Sequence, residues 1–175
     1  MKRLIGLLIA LQPAQAFACP PPPPPPSKAA GESDAHYGAR MAKLDREKRS
    51  AFLAGQATRQ ADLWLTSSAV FVGRIEKVHL LEPENPYGLP QKVFVRPVRQ
   101  LKGPMPQPFW LQHPHTSDCG PFGAGDAPEG HVGAEFVLFA NGAGSASVVV
   151  DSISQANAVD PRIVAALTTS SKAMQ

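Results

Sequence analysis

Cysteine and long apolar runs are scarce in this 175-residue chain. The only cysteines are Cys19 and Cys119, which excludes a small scaffold held together by several disulfides. The most apolar stretch, LIGLLIAL at 4–11, covers eight residues, whereas a helix that spans a bilayer needs about 20. The sequence therefore predicts no transmembrane segment.

The first 18 residues have the pattern of an export signal. Lys2 and Arg3 precede the apolar stretch, and Ala16-Phe17-Ala18 satisfies the small-x-small rule for cleavage. We therefore predict a signal peptide over 1–18 and a secreted or periplasmic protein that begins at Cys19. A cut after Ala16 also satisfies the rule and would leave two residues ahead of Cys19.

Charge of one sign is also lacking once the signal is removed. The chain has 17 Lys and Arg against 14 Asp and Glu, and loss of Lys2 and Arg3 leaves 15 against 14. This balance argues against a nucleic-acid partner, which requires an excess of basic residues. No serine lies in a Gly-x-Ser-x-Gly elbow, and no cofactor-binding motif occurs, so we expect neither enzymatic activity nor a cofactor.

Cys19 has three chemical fates as the first residue of an exported protein. It can carry a lipid anchor, form a disulfide with Cys119, or present its amino terminus as a ligand. Ala16 and Phe17 make a poor lipidation box, which weighs against the anchor. A disulfide would close a loop of about 100 residues, for which chain entropy gives roughly 4.7 kcal/mol of stabilisation.

Composition divides the exported part into three regions. Residues 19–34 form a Cys-Pro-rich segment and linker, in which Pro20–Pro26 predicts a polyproline rod about 22 Å long. This rod is a stiff spacer or, alternatively, a ligand for an aromatic-lined groove. Residues 35–66 are predicted to be helical, and residues 67–175 to form a barrel with a C-terminal helix. The predicted apolar face of the helical region comprises Tyr37, Met41, Leu44, Ala51 and Phe52.

Five segments after residue 67 have strand patterns. They are 69–78, 92–101, 108–113, 135–140 and 145–151. Gly73 permits a sharp bend, and the apolar alternation skips a position at Pro97, which predicts a β-bulge. Asp160-Pro161 predicts a helix start. The fold class is therefore mainly β: a five-stranded OB-like barrel with flanking helices. Its predicted interior comprises Val70, Val72, Val93, Val95, Val98, Leu111, Phe136 and Leu138.

Histidines near the third strand are weak candidates for a metal site. His113 and His115 flank Pro114, and Asp118 and His131 follow them. Imidazole and carboxylate groups are ligands for transition metals. The spacing matches no zinc motif, so we interpret these side chains as polar loop residues and predict no metal.

The strand segments also resemble a known family. The strands AVFVGRIEKV and KVFVRPVRQL, the turn Lys102-Gly103-Pro104, the pair Cys119-Gly120 and a signal that ends directly before a cysteine are similar to the netrin-like domain. The likeness is greatest to the N-terminal domain of the tissue inhibitors of metalloproteinases. It covers residues 69–150 together with Cys19, about half of the chain.

The resemblance implies a specific function. In those inhibitors the first cysteine is bonded to the cysteine of the Cys-Gly pair, and its free α-amino group and carbonyl bind the zinc of a metalloproteinase. Carried over, Cys19 would chelate the zinc, Pro20 would follow it into the protease, and Cys119 would be the disulfide partner. We therefore expect an exported protein that binds another protein, with an envelope-anchored lipoprotein on a proline stalk as the alternative.

Overall fold

The structure is a computed structural model that describes residues 23–81, 91–117, 120–142 and 148–169. Its two α-helices are α1 (Asp34–Thr66) and α2 (Pro161–Thr169). Its strands are β1 (Ala69–Leu80), β2 (Gln91–Lys102), β3 (Phe109–Gln112), β4 (His115–Ser117), β5 (Gly120–Phe122), β6 (Glu135–Asn141) and β7 (Val148–Ser154). Short 3-10 helices cover Ala127–Glu129 and Gln155–Asn157. No helix within these ranges is long and apolar enough to cross a membrane.

Five strands form one antiparallel sheet in the order β3-β2-β1-β6-β7. Four of the five segments with strand patterns lie in this sheet, as does the described part, 148–151, of the fifth, whose residues 145–147 lie outside the described residues. The mainly β class with flanking helices is confirmed. The closed barrel is not confirmed, because β3 and β7 do not pair within the described residues and the sheet stays open between them. β4 and β5 form a separate hairpin that the sequence patterns did not predict.

The predicted bulge lies at Pro97. Val72 on β1 pairs with Arg99, and the next residue, Gly73, pairs with Pro97, so Val98 is left without a partner. Proline lacks an N–H and is tolerated at such a break in the ladder. A Cβ at Gly73 would lie 2.5 Å from a methyl carbon of Val95, so only glycine fits between the strands here.

The first half of β1 is buried on both faces. One face contributes Phe71 and Ile75 to a loop-side cluster that also contains Ala69, Val93, Val95, Leu111, Ala124, Ala127, Phe136, Leu138 and Ala140. The other face contributes Val70 to a helix-side cluster with Val137, Phe139, Ile153 and Ile163. Complete burial of each large apolar side chain stabilises the fold by about 1.5–3 kcal/mol. The two clusters account for the continuous apolar sequence of this strand.

One prediction of burial was wrong. Val98 is 39% exposed, because it is the unpaired residue of the bulge and leaves the alternation of β2. Val70 is buried as predicted, but it packs in the helix-side cluster rather than in a single barrel interior. The remaining predicted interior residues are buried: Val72, Val93, Val95, Leu111, Phe136 and Leu138.

The long helix α1 matches the predicted helical region, but its apolar face was assigned wrongly. Phe52 is 64% exposed, and the only buried residue of the helix is Gln60. Leu63 and Trp64, close to the C-terminal end, pack against the helix-side cluster. The first two thirds of α1 contribute nothing to the core.

Both helix starts have side-chain caps. The Ser33 hydroxyl accepts from the backbone N–H of His36 at 3.2 Å and begins α1. Asp160 accepts from the backbone N–H of Arg162 at 2.9 Å, which confirms the start predicted for α2. Such caps satisfy backbone donors that have no partner inside the helix.

Candidate functional site

The residues expected to act at the mature N-terminus lie outside the described residues. These are Cys19 and Pro20, together with the proposed disulfide partner Cys119; the weak metal candidate Asp118 also lies outside them. The described strands on either side in the chain are β4, which ends at Ser117, and β5, which begins at Gly120. The family-like turn Lys102-Gly103-Pro104 is described in full.

The Lys102-Gly103-Pro104 turn joins the sheet to the end of α1. The last carbonyls of an α-helix have no hydrogen-bond partners inside the helix. At the end of α1 the Lys102 ammonium supplies such a partner: it donates to the backbone carbonyls of Trp64 and Ser67, the latter at 2.7 Å. Gly103 has φ +66°, and a Cβ there would lie 2.0 Å from the Ser68 carbonyl oxygen. The turn therefore requires glycine both for its backbone conformation and for the close approach.

The candidate histidines do not form a metal site. His113 is almost buried: its Nδ1 donates to the Gly123 carbonyl at 2.7 Å, and its Nε2 lies 3.5 Å from the Glu129 carboxylate. His115 stacks on Phe122 instead, with ring centroids 5.3 Å apart, and His131 is exposed. No group of three metal-ligating side chains occurs among the described residues.

The segment after β5 is a packed turn rather than a loose loop. Gly123, Ala124 and Gly125 all have left-handed backbone conformations, with φ of +87°, +58° and +70°. The Ser152 hydroxyl on β7 donates to the Ala124 carbonyl and accepts from the Ala127 N–H at 2.8 Å. This turn covers the loop-side cluster, to which it contributes Ala124, and it holds His113 through the Gly123 carbonyl.

An ion pair between a buried carboxylate and an exposed guanidinium lies beside this turn. Asp151 on β7 is 3% exposed, and its carboxylate contacts the Arg59 guanidinium at 2.6 Å. Burial raises the pKa of Asp151, and the charge of Arg59 partly offsets that effect. The pair attaches α1 to the sheet edge.

A second candidate surface lies on the solvent face of β1, β2 and β3. Lys77, Phe94 and Trp110 are paired across these three strands and form one row. The ring centroids of Phe94 and Trp110 are 5.3 Å apart and the ring planes are at an angle of 59°, so the two side chains pack on each other. The Lys77 ammonium lies 5.6 Å from the Phe94 ring centre, and that of Lys92 lies 5.2 Å from the Trp110 ring centre. We name these four residues the aromatic–lysine patch.

The basic side chains around the patch form ion pairs, whereas the two lysines of the patch form none with the residues that the structure describes. Arg74 is paired with Glu135 at 2.7 Å, and Arg96 with Glu76. Within the described part of the chain, neither Lys77 nor Lys92 forms an ion pair; each contacts only an aromatic ring. Trp110 is 48% exposed, which is unusual for so large an apolar surface. The patch therefore offers apolar ring faces and hydrogen-bond donors.

Sequence reasoning missed this patch, although a signal was present. In KVFV the residues Lys92 and Phe94 alternate with the buried Val93 and Val95, which places them on the outer face of β2. A single outward aromatic residue is ordinary on a protein surface, so the signal acquires meaning only when Trp110 is placed beside Phe94 by the strand register.

Comparisons with known proteins provide no relative for this chain. No protein family, no curated protein and no solved structure matches it.

Proposed function

We propose that this chain is an exported, non-enzymatic binding protein with a netrin-like OB-type barrel, which acts on a zinc metalloproteinase through a mature N-terminus at Cys19. The observation that carries the proposal is the strand order β3-β2-β1-β6-β7, which is the order of an OB barrel opened between its third and last strands. The glycine-dependent turn at Gly103 supports it, because it lies where the resemblance places a Lys-Gly-Pro turn.

The proposed chemistry depends on the backbone of Cys19. Its α-amino group has an ordinary pKa of about 8, so a fraction is neutral near pH 7 and can donate a lone pair to zinc. The amine and the Cys19 carbonyl together would coordinate the protease's zinc ion in place of the water molecule that the protease activates. A disulfide to Cys119 would hold this terminus against the β4–β5 hairpin.

The test is to add one alanine before Cys19. The addition turns the amine into an amide with no basic lone pair, so inhibition of a panel of zinc endopeptidases is expected to disappear. The control is the thermal unfolding of both proteins, which should coincide because the extension lies outside the sheet. Equal inhibition by both forms, or none by a correctly processed and oxidised sample, would rule out this mechanism.

A second candidate function is an envelope-anchored lipoprotein in which Cys19 carries lipid. The exposed α1 favours it, since 33 helical residues following a proline run would make a long stalk between an anchor and the sheet. The intact mass of the mature protein separates the two candidates. Addition of acyl chains indicates the lipoprotein, whereas a gain of two hydrogens on reduction indicates the disulfide.

A further inference from the structure

The middle of α1 has no partner outside the helix in the described part of the protein. Every residue from 45 to 55 is exposed, and no hydrogen bond or ion pair joins this stretch to a described residue outside α1. The helix is held near its start by the ion pair of Arg40 with Glu32, and near its end by Arg59 and Gln60. The stability of the exposed stretch 45–55 is therefore local.

Gly38 and Gly55 weaken the helix on either side of this stretch. A Cβ at either position would meet no atom within 4 Å, and neither residue has a positive φ. Packing and backbone conformation would therefore accept alanine at both positions. Glycine in a helix interior lowers the helical population about fivefold relative to alanine. A helix without tertiary contacts opens at a small free-energy cost, and the two glycines lower that cost further.

Lys48 and Arg49 lie in the exposed stretch and form the only pair of adjacent basic residues after position 3. Neither side chain forms an ion pair within the described residues. A protease of the trypsin class binds a basic side chain in its specificity pocket and cleaves the peptide bond that follows it. Proteases act on the transiently opened state of a folded protein. Local opening of α1 therefore presents this pair as a substrate.

We propose that α1 carries a processing site, at which a protease of the trypsin class hydrolyses the peptide bond between Arg49 and Ser50. Water adds across the bond and leaves a carboxylate on Arg49 and an amino group on Ser50. The cut separates an N-terminal arm, residues 19–49, from the sheet, while the contacts of Arg59 and Gln60 stay with the sheet. The proposal rests on neither candidate function, because the cut detaches the arm whatever Cys19 binds or carries.

The first experiment locates the cut. The mature protein is prepared with Lys28→Gln, which removes the basic residue of the linker, and is digested with trypsin without denaturant. Mass spectrometry of the products should show a first cut within residues 46–49 and a fragment that begins at Ser50. Lys77, which is exposed on β1, should stay uncut while the sheet is folded. A first cut at Lys77 or at another strand residue would overturn the proposal.

The second experiment tests whether opening of α1 alone controls the cut. Gly55→Ala should slow the cut about fivefold, because the rate follows the population of the open helix. Gly133→Ala is the control: Gly133 has φ +88° and lies outside α1, so the substitution weakens the sheet and should leave the rate unchanged. A faster cut in Gly133→Ala would mean that the whole protein must unfold first. An unchanged rate in Gly55→Ala would mean that helix opening does not limit access; either result would overturn the proposal.

The third experiment examines the product. The fragment of residues 50–175 should unfold thermally at the same temperature as the intact protein, because no described contact between the arm and the sheet is lost. A fragment that melts at a lower temperature or unfolds without cooperativity would show that the arm stabilises the sheet. That result would contradict a site at which the arm is released from an intact sheet.

Discussion

Gln60 and Asp160 are joined across 100 residues of sequence by a hydrogen bond, in which the Asp160 backbone N–H donates to the Gln60 side-chain oxygen at 3.1 Å. The same oxygen accepts from the Val159 N–H at 2.8 Å, and the Gln60 amide donates to the Asn157 carbonyl at 2.8 Å. Gln60 is fully buried. One polar side chain thus attaches α1 to the segment that begins α2.

The first prediction concerns this attachment. Gln60→Leu preserves the volume but leaves the buried Asp160 N–H without its acceptor, and it also removes the partners of the Val159 N–H and the Asn157 carbonyl. The free energy of unfolding should fall by about 3 kcal/mol in urea denaturation, since each orphaned group costs about 1–3 kcal/mol. Gln56→Leu, one turn earlier on α1, is the control and should change it by less than about 0.5 kcal/mol. Equal losses in both variants would contradict the role of Gln60.

The second prediction separates backbone strain from steric collision at two glycines. Gly103 and Gly133 both have positive φ, but only at Gly103 would a Cβ meet another atom, the Ser68 carbonyl oxygen at 2.0 Å. Gly133→Ala should destabilise the protein by about 1 kcal/mol through strain alone. Gly103→Ala should destabilise it by about 2 kcal/mol more, because the neighbouring backbone must move. Equal thermal shifts would show that the close approach has no energetic consequence.

The third prediction uses two valines on opposite sides of the bulge in β2. Val95 is 1% exposed, whereas Val98 is 39% exposed. Val95→Asp buries a carboxylate with no partner and should abolish cooperative unfolding, as followed by circular dichroism. Val98→Asp should leave the transition within about 1 kcal/mol of the unmodified protein. A folded Val95→Asp variant would disprove the assigned strand face.

The fourth prediction concerns the ion pair that holds the start of α1. The hydrogen bond from Arg40, aided by the backbone N–H of Ala29, lowers the pKa of Glu32 from 4.5 to about 2. Because the folded pKa is depressed, the stabilising effect is present above pH 4.5 and is lost as the pH falls through about 2. Nuclear magnetic resonance of the carboxyl carbon should report this midpoint.

Arg40→Gln is the matched variant for that titration. Removal of the guanidinium takes away the largest cause of the shift, so the Glu32 midpoint should rise towards 4.5. A Glu32 midpoint that does not respond to the substitution would mean that Arg40 is not its partner in solution.

Local patterns predicted much of the fold. The apolar segment AVFV predicted β1, and the alternating valines Val93 and Val95 predicted β2. The interruption of that alternation beside Pro97 predicted the bulge, and Asp160 with Pro161 predicted the start of α2. The hairpin of β4 and β5 was missed because three-residue strands are too short to show alternation. The aromatic–lysine patch was missed because its members come from three strands whose register the sequence does not state.

The sequence by itself determined the two helices and the five strands of the main sheet, since proline, glycine, capping residues and apolar period act over a few neighbouring residues. It also contains the export pattern, the proline run and the position of Cys19. Only the tertiary structure decided which faces are covered: α1 buries Gln60 and exposes Phe52, and Val70 faces the helices while Phe71 faces the turn. Those outcomes depend on contacts between residues far apart in the chain, as between Gln60 and Asp160, which no local periodicity encodes.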